Sequence, residues 1–498
     1  MPNNTVQNTS IDKTALDQDL SELNAAKDEW AKTSVEKRIA LLLEIKNCLL
    51  PVSEKWAKTA GREKGIPEGS ALVGEEWLSG PYPLMLACNA LLQTLTNMEG
   101  KTFLNSLKKR KTQTGQLAVK VLPNTLWDHL LLSGVSAEVW MEDKVTLNNL
   151  SQHTAGSYDV PAEQRQGKVA VVLGAGNIAS IAPLDVFHKL FNEHQVVILK
   201  MNPVNEYLTE FLNEALKPLI GINVLRIVKG GADVGAYLCE HSDVDEIHIT
   251  GSGASHDIIV WGPGEEGLRN KAANTPKLTK TITSELGAVC PTIVVPGPWS
   301  SADLKFQAEN IATQKMHNSG FNCVACQMLI LPKGWDKKET LLKTIEETIG
   351  NLDPRQPYYP GAADRLSEFE KSANNVVKFD RGTVTPLLVS SETDSTNDKY
   401  RMTEVFAPAL ATHEISELDP EAYLRAAVKF ANDKLYGTLG ANIVIHPKTI
   451  KQIGKESFEE IIAELRYGTI AINTWSGLGF LTPACPWGAF PGHTLQDV

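Results

Sequence analysis

The chain has 498 residues, is 42% hydrophobic and 21% charged, and carries a formal net charge of -11. That length allows two or three domains with a sizeable core, and the composition is that of a globular protein. The acidic balance argues against a phosphate backbone or an anionic membrane as the main partner.

Residues Met1 to Ala15 are polar, unlike a secretory leader, and no run approaches the ~18 consecutive apolar residues of a membrane-spanning helix. Cys48, Cys88, Cys239, Cys290, Cys323, Cys326 and Cys485 are an odd number, widely scattered. Free thiols in a reducing, cytoplasmic compartment fit that pattern better than a disulfide framework.

From about Asp17 to Ala60, apolar residues recur at helical spacing (Leu20, Leu23, Trp30, Ile39, Leu42, Leu43, Ile45, Leu49), which predicts a pair of amphipathic helices. Trp30 and Trp56 are expected in the core. From Lys168 the pattern changes to short apolar runs, 169–173, 196–199, 223–228 and 246–249, alternating with helical stretches. Strands and helices at this period predict a parallel sheet with crossover helices, read as a dinucleotide-binding domain. Strands are expected again at 291–295, 327–331 and 469–473, with a helix over about 301–315. The Gly- and charge-rich stretch 261–276 and polar 390–399 are expected as surface loops.

Gly174-Ala175-Gly176-Asn177 lies between a strand and a helix, but Ala179 stands where a third glycine would complete the dinucleotide fingerprint. A tight turn that simply needs glycine reads equally well there. Lys200 ends the next strand, on the edge where ligands of parallel sheets collect, or else it is a solvated lysine. Thr250-Gly251-Ser252 opens a helix, whose orphan N–H groups can meet a pyrophosphate.

Ser284-Glu285-Leu286-Gly287 precedes Gly320-Phe321-Asn322-Cys323 and puts one carboxylate and one thiol in the same half of the chain. A thiolate can attack a carbonyl carbon, and a carboxylate can activate the water that later frees the acyl group. Cys323 and Cys326 also form a Cys-x-x-Cys pair, open to a redox role or half a zinc site. No second Cys-x-x-Cys or spaced histidine pair completes such a site, so no metal is expected.

Asn177, Lys200, Thr250-Gly251-Ser252, Glu285-Leu286-Gly287, Cys323, Glu404-Val405-Phe406-Ala407-Pro408 and Asn473 run in an order similar to that of the aldehyde dehydrogenase superfamily. The resemblance implies an α/β fold: a Rossmann-type NAD(P)-binding domain over 1–286, with a bridging or oligomerisation segment near 131–165. A second α/β domain over 287–473 carries the nucleophilic cysteine, and 474–498 forms a C-terminal segment. It also implies oxidation of an aldehyde to a carboxylic acid through a thiohemiacetal and a thioester, with NAD or NADP as acceptor. Cys323 is then the nucleophile and Glu285 the base for the deacylating water. The Asn177 amide, which could otherwise cap a helix, joins the Cys323 N–H in holding the oxyanion. Lys200 bonds the adenosine ribose, Thr250, Gly251, Ser252 and Gly287 border the dinucleotide, and Glu404 with Phe406 grips the nicotinamide ribose. Asn473, Trp475, Trp487 and Phe490 would line or support the substrate mouth, although aromatic residues there read more readily as core.

Four departures from the family pattern bear on specificity. Pro203 stands where NAD-preferring members place a glutamate, which leaves NADP open. His256 replaces a common glycine, the stretch from Gly251 to Glu285 is long, and Phe321 replaces a frequent glutamine beside the substrate tunnel. Members that pass the acyl group to coenzyme A often lack the glutamate, so hydrolysis is the expected outcome. A CoA-acylating reaction is the alternative, and a non-catalytic protein retaining the fold is a third reading. A homodimer is the expected assembly.

Overall fold

The computed structural model describes residues 12–353, 355–373, 375–379, 387–390 and 399–495. Most of the polar stretch expected as a loop at 390–399 lies outside the described residues. Two compact units interleave in sequence, one built from 1–56 and 155–284, the other from 57–154 and 285–498.

The first unit is organised by a five-stranded sheet in the order Leu225–Val228, Val196–Lys200, Val169–Leu173, Glu246–Gly251, Thr281–Leu286. The first four strands pair in parallel. Val169–Val172 and Val196–Leu199 are fully buried, as continuous apolar runs covered on both faces must be. Helix Lys13–Ala31 presents Leu16, Leu20, Leu23 and Trp30 from one buried face, and helix Val35–Glu63 follows it. Trp30 is buried as expected, and its indole N–H donates to Leu190 O at 3.2 Å. The fully buried Arg38 guanidinium donates to Leu190 O and Trp30 O at 2.9 and 2.8 Å and lies over the Trp30 ring at 4.2 Å. This satisfies a buried charge with carbonyl oxygens and a π face.

The stretch 261–276, expected as a loop, contains helix Gly264–Ala273. Positive φ at Gly262, Gly264 and Asn274 supplies the turns at its ends, which the glycine content alone had suggested were irregular chain.

The second unit holds a seven-stranded sheet in the order Asn375–Lys378, Leu387–Ser390, Ala409–Ile415, Cys326–Pro332, Cys290–Val294, Gly440–Val444, Thr469–Ile472. Its pairings are parallel except the first. Helix Ser301–Met316 starts at a capping box between Ser300 and Asp303. A separate three-stranded antiparallel sheet comprises Lys108–Lys111, Leu117–Leu122 and Ala137–Trp140.

The contacts therefore place 57–154 with the 285–498 segment and not in one continuous block 1–286. Side chains far apart in sequence explain why: Arg110 pairs with Glu459 at 2.7 Å, Glu459 accepts from Gln113 N at 2.8 Å, and Lys64 bonds Asn318 at 3.2 Å. No helix among the described residues is long and apolar enough to cross a membrane.

Candidate active site

In the second unit, Cys323 lies between a 3-10 turn, His317–Gly320, and the buried strand Cys326–Pro332. It is half-buried, packed with Trp475 and Trp487 against Ala288, Cys290, Val324 and Leu439. The Cys290 thiol donates to Cys323 O at 3.2 Å, and the Trp475 indole donates to Val324 O at 2.9 Å. Burial, followed by the charges of Glu285 and Glu404, holds the Cys323 thiol well above its ordinary range. The sulfur is thus a neutral thiol here, and a nucleophilic role requires a proton acceptor.

Glu285 sits near the end of strand Thr281–Leu286, and its Oε1 accepts from the Trp487 indole N–H at 2.7 Å. Glu404 lies deeper, where burial pushes its carboxyl up to about 8 against the opposing charges of Lys315 and Arg365. It accepts from the Ala288 N–H, while its Oε1 is buried without a hydrogen-bond partner. A Cβ on residue 287 would come within 1.8 Å of Glu404 Oε2, so a larger residue there would displace the Glu404 carboxylate. Arg365 holds the next turn by donating to Val405 O and Phe406 O at 2.9 and 3.1 Å, and Phe406 takes a φ of 41°.

The structure brings Cys323, Glu285, Gly287, Glu404 and Phe406 into one unit. One residue of the sequence reading, Phe321, is placed differently from expectation. Phe321 is fully buried between Tyr358, Tyr359 and Phe406, so it is core and not tunnel wall. Cys326 is fully buried in a strand with its thiol raised to about 11 by burial, the behaviour of a packing cysteine. The Asn473 amide bridges both backbone groups of Ile445, accepting at 2.8 Å and donating at 2.9 Å, and so ties strand ends together.

Sequence reasoning left Trp487 and Trp475 among the core aromatics, and they touch Glu285 and the residue after Cys323. Only tertiary contact reveals this. Lys315 was also missed: it is fully buried, its ammonium pulled down to about 8 by burial. The signal was available, because Lys315 continues the buried stripe Leu304, Ala308, Ile311, Ala312 along its helix. No group of acidic, histidine and cysteine side chains among the described residues could hold a metal ion.

In the first unit, the remaining residues lie on the strand-to-helix edge of the parallel sheet. Asn177 is buried four residues after strand Val169–Leu173. Lys200 is buried, and desolvation pulls its ammonium down against the opposing charges of Glu206 and Asp233. The Thr250 hydroxyl donates to Asp185 Oδ2 at 2.9 Å and lies 3.3 Å from His248 Nε2. Gly251 ends its strand, and Ser252 caps helix Gly253–Trp261 by accepting from Ser255 N at 3.2 Å. His256 is fully buried on that helix.

A groove of about 780 Å³ in the second unit is lined by Glu75, Met316, His317, Ser319, Arg355 and Pro408, among others. Neither Cys323 nor Glu285 lines it.

One unit carries a mostly parallel α/β sheet, and the other a second, largely parallel sheet with Cys323 under the electrostatic influence of Glu285 and Glu404. The chain is similar to members of the aldehyde dehydrogenase superfamily. Residues 196–361 match the profile of the aldehyde dehydrogenase family. Aldehyde dehydrogenase [NAD(P)+] 1 of Saccharomyces cerevisiae is 25% identical over 276 residues, 50% of this chain and 49% of that one. D-glyceraldehyde dehydrogenase (NADP(+)) of Thermoplasma acidophilum is 25% identical over 273 residues, again 50% of this chain and 49% of that one. The chain thus spans about half the length of the curated relatives it matches. Among solved structures, the aldehyde dehydrogenase of Mycobacterium tuberculosis complexed with NAD+ superposes with a TM-score of 0.62 at 16% identity, covering 93% of this chain and 83% of that one. Glyceraldehyde-3-phosphate dehydrogenase GapN of Methanocaldococcus jannaschii complexed with NADP gives 0.63 at 12% identity, covering 94% and 87%.

Proposed function

We propose that this protein oxidises an aldehyde to a carboxylic acid with NAD or NADP, through a thioester on Cys323. The observation that carries the reading is the pairing of a half-buried, neutral Cys323 thiol with Glu285, whose carboxylate is oriented by Trp487. Cys323 Sγ bonds to the aldehyde carbon as its proton is released to solvent, which leaves Glu285 ionised for the later step. The oxyanion so formed is held by the Cys323 N–H and the Asn177 amide. Collapse of this adduct expels a hydride and leaves the thioester. Water deprotonated by Glu285 then adds to the acyl carbon, and the C–S bond breaks to release the acid and the thiol.

NAD or NADP, when bound, supplies the hydride acceptor. The residues present fit it: Glu404 Oε1 is a buried acceptor without a partner, suited to a ribose hydroxyl. Lys200 would meet the adenosine ribose, Thr250, Gly251 and Ser252 the dinucleotide backbone, and Phe406 the nicotinamide side. The reading carries with it a reducing cytoplasmic compartment, in keeping with seven free cysteines, and a homodimer.

The test is purified full-length protein offered short, long and aromatic aldehydes with each nicotinamide cofactor, with no coenzyme A present. Reduced cofactor and free carboxylic acid should appear in equal amounts over many turnovers. Turnover that resumes only on adding coenzyme A would replace hydrolysis by acyl transfer. No reduced cofactor with any aldehyde would sink the enzymatic reading.

A further inference from the structure

Asn318, Ser319 and Gly320, the three residues directly before Phe321 in the nucleophile loop, run through left-handed backbone, with φ angles of 53°, 56° and 78°. A Cβ at Gly320 would meet Ala407 O at 2.7 Å, so glycine fits there, but Asn318 and Ser319 adopt a conformation that side chains disfavour. Such a turn persists only if its surroundings hold it.

Asn318 is where they do so. Its Nδ2 donates to Phe321 O at 3.1 Å, and its backbone N donates to Glu75 Oε2 at 2.9 Å. Its Oδ1 accepts from Tyr358 OH at 2.9 Å and from Lys64 Nζ at 3.2 Å. Lys64 is buried, lies over the Tyr358 ring at 5.0 Å and faces the buried Glu76 carboxylate at 3.0 Å. That distance is an ion pair's. Closer to the nucleophile, Asn322 Nδ2 donates to His317 O at 2.8 Å, which closes the turn just before Cys323.

We propose that Lys64, with Tyr358, is a positioning residue for the nucleophile: together they fix the Asn318 amide and so the path of 318–323 that aims Cys323. The proposal rests on the reading of Cys323 as the nucleophile. Neither residue is assigned contact with substrate or cofactor. A buried ammonium at this place is otherwise a costly choice, since an apolar side chain could fill the volume without needing Glu76 as a partner.

The test uses the full chain in three variants: Lys64→Met combined with Glu76→Leu, which removes both charges together, Lys64→Arg, and Tyr358→Phe. For each, kcat and KM for propanal, the Kd of NAD and the melting temperature are measured. The rate at which iodoacetamide labels the Cys323 peptide is followed by mass spectrometry across a pH series. The charge-free variant should lose about tenfold in kcat, with propanal KM and NAD Kd within about threefold, because misaiming a nucleophile affects the chemical step more than binding. Its labelling of Cys323 should change in rate or pH midpoint, and Lys64→Arg should recover part of both. Tyr358→Phe should show a smaller loss of the same kind, and it decides the matter alone if the charge-free variant does not fold. Folded variants whose kcat and Cys323 labelling both stay within about twofold of wild type would overturn the proposal, since a tenfold loss is what misaiming requires. Should wild type oxidise no aldehyde, the functional reading fails, and the labelling profiles alone still decide whether Lys64 sets the state of Cys323.

Discussion

The Trp487 indole N–H donates to Glu285 Oε1 at 2.7 Å, across 202 positions of sequence. The Trp487 ring is itself fixed edge-on against Phe480, with centroids 5.5 Å apart. A carboxylate oxygen that accepts from one N–H keeps further acceptor capacity for a water. The indole therefore orients the proposed base without consuming it.

Replacing Glu285 with Gln should permit one round of hydride transfer per site and then a stall, since forming the thioester needs this base less than hydrolysing it does. Rapid mixing should show a burst of reduced cofactor followed by a slow steady rate. Trp487→Phe should keep the burst and slow the steady rate about tenfold, the effect of losing one hydrogen bond to a charged group. A variant of Trp487 with an unchanged steady rate would remove it from the deacylation step.

Cys323→Ala should abolish turnover while NAD still binds, because the proposed dinucleotide contacts come from other residues. Cys326→Ala should leave activity within about threefold and lower stability by about 1 kcal/mol, since it only trims a packed thiol. Paired kinetic and calorimetric measurements check both. Equal damage from the two substitutions would restore the dithiol reading.

What the sequence made legible follows from the range of each signal. The parallel strands are written in continuous apolar runs such as 169–173 and 196–199, and local pattern suffices to find them. Cys323 and Glu285 stand out because their chemistry needs those residue types. The discontinuous second unit was not legible, because Lys64 meets Asn318 and Arg110 meets Glu459 only through tertiary packing. Helix Gly264–Ala273 was hidden by the glycines that shape its ends, and Phe321 by a family comparison that gave no account of the tyrosines packed around it.

Cofactor preference changes once Lys200 is seen in place. Pro203 offers no carboxylate, which favoured acceptance of NADP. Glu206, however, belongs to the 3-10 turn Pro203–Leu208 and, with Asp233, acts electrostatically on Lys200. With Lys200 at the adenosine ribose, as proposed, a neighbouring carboxylate repels a 2′-phosphate, so NAD should bind more tightly than NADP. Glu206→Gln, which can still accept from Gly230 N as Glu206 does at 2.9 Å, should narrow the ratio of the two dissociation constants about tenfold, or about 1.4 kcal/mol. An unchanged ratio would mean that another group sets the preference.

Glu404 gives a pH dependence whose sign can be worked out. Burial raises its folded pKa to about 8, above the ordinary carboxyl value of 4.5. Between these values the folded protein keeps a proton that the unfolded chain releases, so unfolding sheds a proton and stability falls as pH rises. The penalty is absent below the unfolded pKa, grows through neutrality and levels off above about pH 8. Lys315, with its folded pKa lowered to about 8 from 10.5, adds a dependence of opposite slope that lies above that range. Glu404→Gln removes the carboxyl titration and keeps the shape. Its stability relative to wild type should therefore increase by on the order of 3 kcal/mol between about pH 5 and pH 8, at about 1.4 kcal/mol per unit of displaced titration. Urea midpoints of the two proteins across that range measure it. A difference that stays flat with pH would mean that Glu404 is ionised in the folded protein and that its burial is compensated by partners such as Lys315 and Arg365.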